Sequence, residues 1–471
     1  MREIVGRKKE IKLLKGTLLS DRSELVVVYG RRRVGKTFLL RKTFEKQIEF
    51  EITGMFEGNL ADQLENFTNE IRVRTNKPET KRPKKWIEAF VLLQHYIEQL
   101  PKRGKKVIFI DEFPWIATQR SKFLMAFENF WNSYATKRDD LIVVICGSAA
   151  SYMVQKIIKN RGGLHNRIST KIRLQPFTLG ETQQFLKSRN INYTQYDILQ
   201  LYMAIGGIPH YLEHVQRGLS IAQNIDQLCF EKNGPLNDEF NQLFASLFDN
   251  SERHIIIIKA LAKVRQGVTR KKLIDSTKIT SGGDFSRKLA ELIESGFISE
   301  STYYQKKTKQ TLYRLSDEYT LFYLKFIEPN KHTGPGTWTN LFTSQSYTSW
   351  SGFSFETICL KHIQNIKKGL KIEGIMSSNN SWFNENAQID LLIDREDRVI
   401  NLCEIKFTQA PFEITKSYHK NLLNKINAFK LDTETNKNIF LTMLTTAGIK
   451  QNKYSLEIVE SELTSACLFK D

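Results

Sequence analysis

Residues 30–37 read GRRRVGKT, two glycines five positions apart followed by a lysine and a threonine. Backbone amides freed by Gly30 and Gly35 can wrap phosphate oxygens at the positive end of a following helix. Lys36 would then reach the β- and γ-phosphates of ATP, and Thr37 would offer a hydroxyl to Mg²⁺. Arg31, Arg32, Arg33 and Val34 form the loop itself, and Phe38 opens the helix behind it. Such a cradle needs an acidic partner at the end of a neighbouring strand. KVIFIDE (106–112) supplies Asp111 for the magnesium shell and Glu112 to polarise an attacking water.

A second set of reactive residues lies in NLCEIKF (401–407). Alternation along a strand puts Glu404 and Lys406 on one face and Cys403, Ile405 and Phe407 on the other. That suits an ordinary half-solvated strand. It suits equally a carboxylate and an ammonium aimed at a metal-bound phosphate. The same EIK occurs at Glu10, Ile11 and Lys12, where a helical setting makes surface charges the plain reading. Upstream, QIDLLIDREDRVINL (388–402) reads as two strands around a polar turn. With an even register Asp390 faces Glu404 across the hairpin, whereas a one-residue slip separates them.

These residues need a scaffold. The segments ELVVVYG (24–30), IEFEITG (48–54), KVIFIDE (106–112) and LIVVICG (141–147) are short continuous apolar runs, the pattern of parallel strands buried on both faces. TKIRLQPF (170–177) reads as a fifth, and helical stretches lie between them. Helical periodicity follows to about residue 250. Residues 251–316 then show three helical pieces and two strands around a basic turn, the order of a winged helix-turn-helix. This segment carries 14 Lys plus Arg against 6 acids, a footprint of phosphate contacts. EPNKHTGPGTW (328–338) has no periodicity and reads as a linker.

Across all 471 residues, 70 Lys plus Arg stand against 51 Asp plus Glu, a net +19 that favours polyanionic partners such as DNA. Apolar and charged fractions of 41% and 26% are those of a soluble globular protein, so disorder is not the default. No apolar run is long enough to cross a bilayer, the N-terminus is charged, and five scattered cysteines lack metal or disulfide spacing. The expectation is a cytoplasmic protein that does not engage a membrane.

Together VGRKKEIKLL (5–14), GRRRVGKT, VIFIDEFPW and GGIPHYL (206–212) resemble the archaeal-type P-loop ATPases related to the AAA+ and STAND classes. That resemblance implies that Val5, Gly6 and Arg7 lie near the adenine and that Ser148 senses the γ-phosphate. It also implies that Gly206, Gly207 and Pro209 couple nucleotide to the winged helix. Of Arg161 and Arg167, the resemblance favours Arg167 as a contact to the nucleotide of a neighbouring subunit in a homo-oligomer; a plain surface arginine fits as well.

The acid before the turn and E-x-K after it resemble the PD-(D/E)XK nuclease superfamily, which implies Mg²⁺ on Asp390 and Glu404, charge stabilisation by Lys406, and a helix glutamate at Glu356. The proline before the first acid is missing, since Ile389 stands there. The resulting expectation is an α/β chain: a P-loop NTPase parallel sheet (1–177), a helical lid (178–250), a winged helix (251–327), a linker (328–340) and a small restriction-endonuclease-like domain (341–471). Its activity would be ATP hydrolysis coupled to DNA binding and Mg²⁺-dependent DNA cleavage. The alternative is a nucleotide-switched DNA-binding regulator or scaffold with an idle C-terminal domain.

Overall fold

A computed structural model of the chain describes residues 3–101, 103–159, 162–248, 250–264, 267–304, 311–385 and 387–470. It divides into two compact units, residues 1–176 and 177–471. Arg161 lies outside the described residues.

In the first unit the five apolar runs become strands: β1 (Glu24–Tyr29), β2 (Ile48–Thr53), β3 (Lys106–Asp111), β4 (Leu141–Gly147) and β5 (Thr170–Arg173). All pair in parallel, in the order β2-β3-β4-β1-β5. Every residue of β3 and β4 is buried, as strands covered on both faces require. One face packs on helices Leu60–Thr75, Trp86–Gln99 and Phe123–Ser133 through a core that includes Phe67, Trp86, Phe90 and Phe127. Asn59 and Asp62 start the first of these helices with a reciprocal capping box. All five cysteines of the chain are buried and unpaired, as their apolar settings suggest.

The second unit begins with helices, three of them started by capping boxes at Thr178/Glu181, Thr194/Asp197 and Ser220/Gln223. Helices Glu252–Ala262, Arg270–Thr277 and Gly283–Glu294 follow, with strands β6 (Val268–Thr269), β7 (Ile298–Tyr303) and β8 (Thr311–Leu315). After helix Gln345–Lys361 come β9 (Ser377–Phe383), β10 (Gln388–Arg395) and β11 (Val399–Lys406). The remaining strands are β12 (Phe412–Glu413), β13 (Asn438–Thr445), β14 (Ile449–Lys450) and β15 (Ser461–Thr464), with helix Lys416–Thr433 between β12 and β13.

Two features differ from the sequence expectation. The strands of 251–316 do not form a separate small sheet. Thr302 and Tyr303 of β7 pair with Asn380 and Ser381 of β9, giving one eight-stranded sheet in the order β15-β13-β11-β10-β9-β7-β8-β6. Residues 328–340 are not a loose linker either. Trp338 is fully buried against Phe230 and Phe322, and the Asp226 carboxylate accepts hydrogen bonds from the amides of Gly336 and Trp338. A buried carboxylate paired with two backbone donors pins this stretch, which its Pro/Gly content conceals.

Candidate functional site

In the first unit the loop after β1 and the end of β3 meet although β4 lies between the two strands. Both lie outside the carboxyl ends of parallel strands, where such sheets place ligands. Gly30 has φ 142°, and a Cβ there would lie 2.3 Å from the Leu174 carbonyl oxygen; Gly35 has φ 88°. Neither position tolerates another residue without strain.

Lys36 is buried, and its ammonium donates to the carbonyls of Gly30 (3.0 Å) and Arg31 (2.9 Å), folded back on the loop it serves. The Thr37 hydroxyl donates to Asp111 Oδ2 at 2.7 Å. These are the two oxygen donors predicted for magnesium, side by side, so the residues fit the ion. Glu112 accepts from the amide (3.1 Å) and hydroxyl (2.8 Å) of Ser148 through Oε2. Arg7 is buried and donates to the Val34 carbonyl at 3.3 Å, which draws Val5 and Gly6 toward the phosphate loop. Arg31 is buried, Arg32 and Arg33 are half-buried, and Phe38 is exposed. Arg167 is exposed on a turn, and Pro209 belongs to the second unit, where it opens helix Pro209–Leu212.

In the second unit β10 and β11 pair antiparallel with Leu391 opposite Cys403 and Leu392 opposite Leu402. Continued by one residue, that even register sets Asp390 beside Glu404. Glu356, from helix Gln345–Lys361, joins Asp390, Glu404 and Lys406 around one cleft of about 1050 Å³. Tyr196 and Phe355 pack on the Phe407 ring, fixing the end of β11 from its other face.

Glu404 is nearly buried and fully engaged. Its Oε1 meets Lys406 Nζ at 2.9 Å and accepts the Tyr418 hydroxyl, while Oε2 accepts from Lys425 Nζ at 2.9 Å. Burial works to raise this carboxyl, but Lys406, Lys425 and Tyr418 outweigh it and hold the group below its ordinary value. Burial likewise works to lower Lys406, and Glu404 and Tyr418 reverse the direction. Burial, then the Asp390 carboxylate, push Glu356 up to about 8. Arg314, deeply buried on β8, is lowered by burial against the opposing pull of Asp390 and Glu356.

Among the described residues no three His, Cys, Asp or Glu side chains gather closely enough to hold a metal ion. Asp390 and Glu404 are the two carboxylates that could share a magnesium ion with substrate phosphate and water, and both Glu404 oxygens are engaged by Lys406, Lys425 and Tyr418. Tyr418, Lys425 and Arg314 went unseen in the sequence. The first two lie seven residues apart, on one face of a helix, and that spacing was the available signal. Arg314 had none.

A second groove, of about 760 Å³, is lined by Arg270, Lys271, Lys272, Tyr303, Tyr313 and Phe383 among others. Lys271 and Lys272 are exposed at the start of their helix. Basic and aromatic side chains interleave here as they do at nucleic-acid surfaces.

Residues 4–215 match the model of an ATPase domain predominantly from Archaea. The match takes in the phosphate loop and the acids described above, so the N-terminal part of the chain is similar to that P-loop ATPase domain. Residues 323–421 match a family described as "Archaea bacterial proteins of unknown function". An uncharacterized protein of Methanocaldococcus jannaschii is 24% identical over 432 residues, covering 91% of this chain and 93% of the relative. An uncharacterized ATP-binding protein of the same organism is 22% identical over 295 residues, 53% of this chain and 80% of the relative.

Among solved structures, the Walker-type ATPase of Pyrococcus abyssi overlays at a TM-score of 0.48 with 17% identity, covering 68% of this chain and 95% of that one. The ORC2 protein of Aeropyrum pernix overlays at 0.42 with 16% identity, covering 70% and 95%. Both scores are too low for a shared overall fold to follow from them. Among the described residues no helix is long and apolar enough to cross a membrane.

Proposed function

We propose that this chain binds and hydrolyses ATP, and that its second unit binds DNA and cleaves it with Mg²⁺ in the cleft over Asp390, Glu404 and Lys406. The observation that carries the first part is the Thr37–Asp111 hydrogen bond, with Glu112 next in sequence. Lys36 leaves its two carbonyl partners for the phosphates, where its charge offsets theirs. Thr37 and Asp111 would hold Mg²⁺, which when bound neutralises phosphate oxygens. Glu112 must give up its bonds to Ser148 before it can polarise water, so Ser148 holds the base until nucleotide is in place. Arg167 would complete the site of a neighbouring copy in a homo-oligomer.

The second part is carried by the even register that sets Asp390 beside Glu404 in the cleft that holds Lys406. Asp390 and Glu404 would hold the metal, which lowers the pKa of a bound water. Lys406 stabilises charge developing on the phosphate, and Glu356, which lines the same cleft, would exchange a proton. The nucleotide state would govern access to DNA. One observation favours the rival, a nucleotide-switched regulator with an idle cleft: Glu404 is already saturated by two lysines and a tyrosine.

The test is ATP turnover and cleavage of both plasmid and single-stranded DNA by the same preparations. Lys36→Ala should fail to bind ATP, and Glu112→Gln should bind it but hydrolyse it far more slowly. Asp390→Ala should lose cleavage and keep ATP turnover. Equal turnover by Glu112→Gln and wild type refutes the assigned base, and absence of cleavage with Mg²⁺ or Mn²⁺ under every nucleotide condition leaves the regulator.

A further inference from the structure

The acid cleft has two helical walls, and they differ in chemistry. Helix Lys416–Thr433 presents Ser417, Lys420, Asn421 and Asn424, spaced 0, 3, 4 and 7 and therefore on one face. All four are exposed and make no side-chain hydrogen bond or ion pair among the described residues. Each can donate a hydrogen bond and none is acidic. The other helix lining the cleft, Gln345–Lys361, presents Ser349, Gly352, Phe353 and Glu356 at the same spacing.

Gly352 lies in the interior of a 17-residue helix, where glycine is destabilising relative to alanine. Its φ is not positive, and a Cβ would meet nothing within 4 Å. Neither backbone nor packing calls for glycine here. What its missing side chain does is keep the cleft wall open, next to the half-buried Phe353, whose ring packs on no other aromatic ring of the described residues.

We propose that this cleft takes a single nucleic-acid strand, with its phosphates along Lys420, Asn421 and Asn424 and one base stacked on Phe353 in the space left by Gly352. The inference rests on reading the cleft as a nucleic-acid site. An aromatic platform sharing a cleft with a row of donors is how unpaired strands are held, since every base has a face to stack and every nucleotide a phosphate to engage. A duplex keeps its base faces stacked internally and cannot use Phe353 in this way.

The experiment measures binding of a fluorescent oligothymidylate to the full chain in EDTA, so that no cleavage occurs. Lys271→Glu/Lys272→Glu serves as background, to silence the other basic groove. Oligouridylate and a hairpin duplex are parallel probes, the first separating RNA from DNA. Phe353→Ala should weaken binding about 5-fold or more, and Phe353→Tyr should restore it. Gly352→Leu should weaken binding at least as much with no loss of thermal stability. Lys420→Ala/Asn424→Ala should flatten the salt dependence by about 0.7 for each phosphate no longer neutralised. Wild-type affinity in Gly352→Leu and Phe353→Ala, or tighter binding of the hairpin than of the single strand, overturns the proposal. The two readings separate cleanly. Binding that responds to these variants without any Mg²⁺-dependent cleavage removes the nuclease and leaves the groove, and cleavage unaffected by Gly352→Leu does the reverse.

Discussion

Replacing Glu404 by glutamine keeps the size of the side chain and deletes its charge. The carboxylate now offsets two ammoniums, Lys406 and Lys425, each at 2.9 Å, with side chains 33% and 25% exposed against its own 10%. Breaking a fully buried ion pair costs about 3–5 kcal/mol, because the surviving charge is stranded in low dielectric. An exposed pair is worth about 0–1 kcal/mol. With both lysines partly wet, Glu404→Gln should cost about 2 kcal/mol at pH 7, between those limits. A denaturant midpoint measured for Glu404→Gln, Lys425→Met and the double variant isolates the pair, and their coupling should reach about 1 kcal/mol. Cleavage then divides the roles: Glu404→Gln should abolish it, whereas Lys425→Met should keep most of it. A Glu404→Gln protein within about 0.5 kcal/mol of wild type would refute the charge network. Complete loss of cleavage in a folded Lys425→Met would refute the division between ligand and support.

A pH experiment probes the other unit. Hydrogen bonds from Arg138 outweigh burial and, with Lys106, hold Asp140 at about 2, below its ordinary 3.8. Its contribution is therefore present above about pH 4 and fades as the pH falls toward 2, and Asp140→Asn should cost about 1–2 kcal/mol at neutral pH once solvent screening is discounted. Chemical denaturation of both proteins across this range should show the difference shrinking with acidity; a constant difference would remove the ion pair as its cause. Lys271→Glu/Lys272→Glu should weaken duplex DNA binding and lower its salt slope by about 0.9 for each phosphate no longer neutralised, while ATP turnover persists. Unchanged affinity in a filter or anisotropy titration would make that groove structural.

Much of the candidate sites' local geometry was legible along the chain because it depends on neighbours in sequence. The spacing in GRRRVGKT and the acids closing KVIFIDE announce a phosphate site, and continuous apolar runs announce buried parallel strands. The hairpin carrying Asp390 and Glu404 was readable too, since strand alternation and turn residues are local signals.

Tertiary structure decided what local signals cannot carry. Nothing in the apolar runs says that β4 lies between β1 and β3, because every buried parallel strand offers the same ladder to any partner. The even register of β10 against β11 was one of two options one residue apart, and it decides whether Asp390 meets Glu404. The joining of β7 to β9 rests on two residue pairs from segments almost 80 positions apart. Glu404 acquired Lys425 in the same way, from a helix that only the folded sheet brings back over its strand. Long-range pairings of this kind are chosen by burial and by the need to satisfy every buried charge, and the order of residues does not record which partner will come.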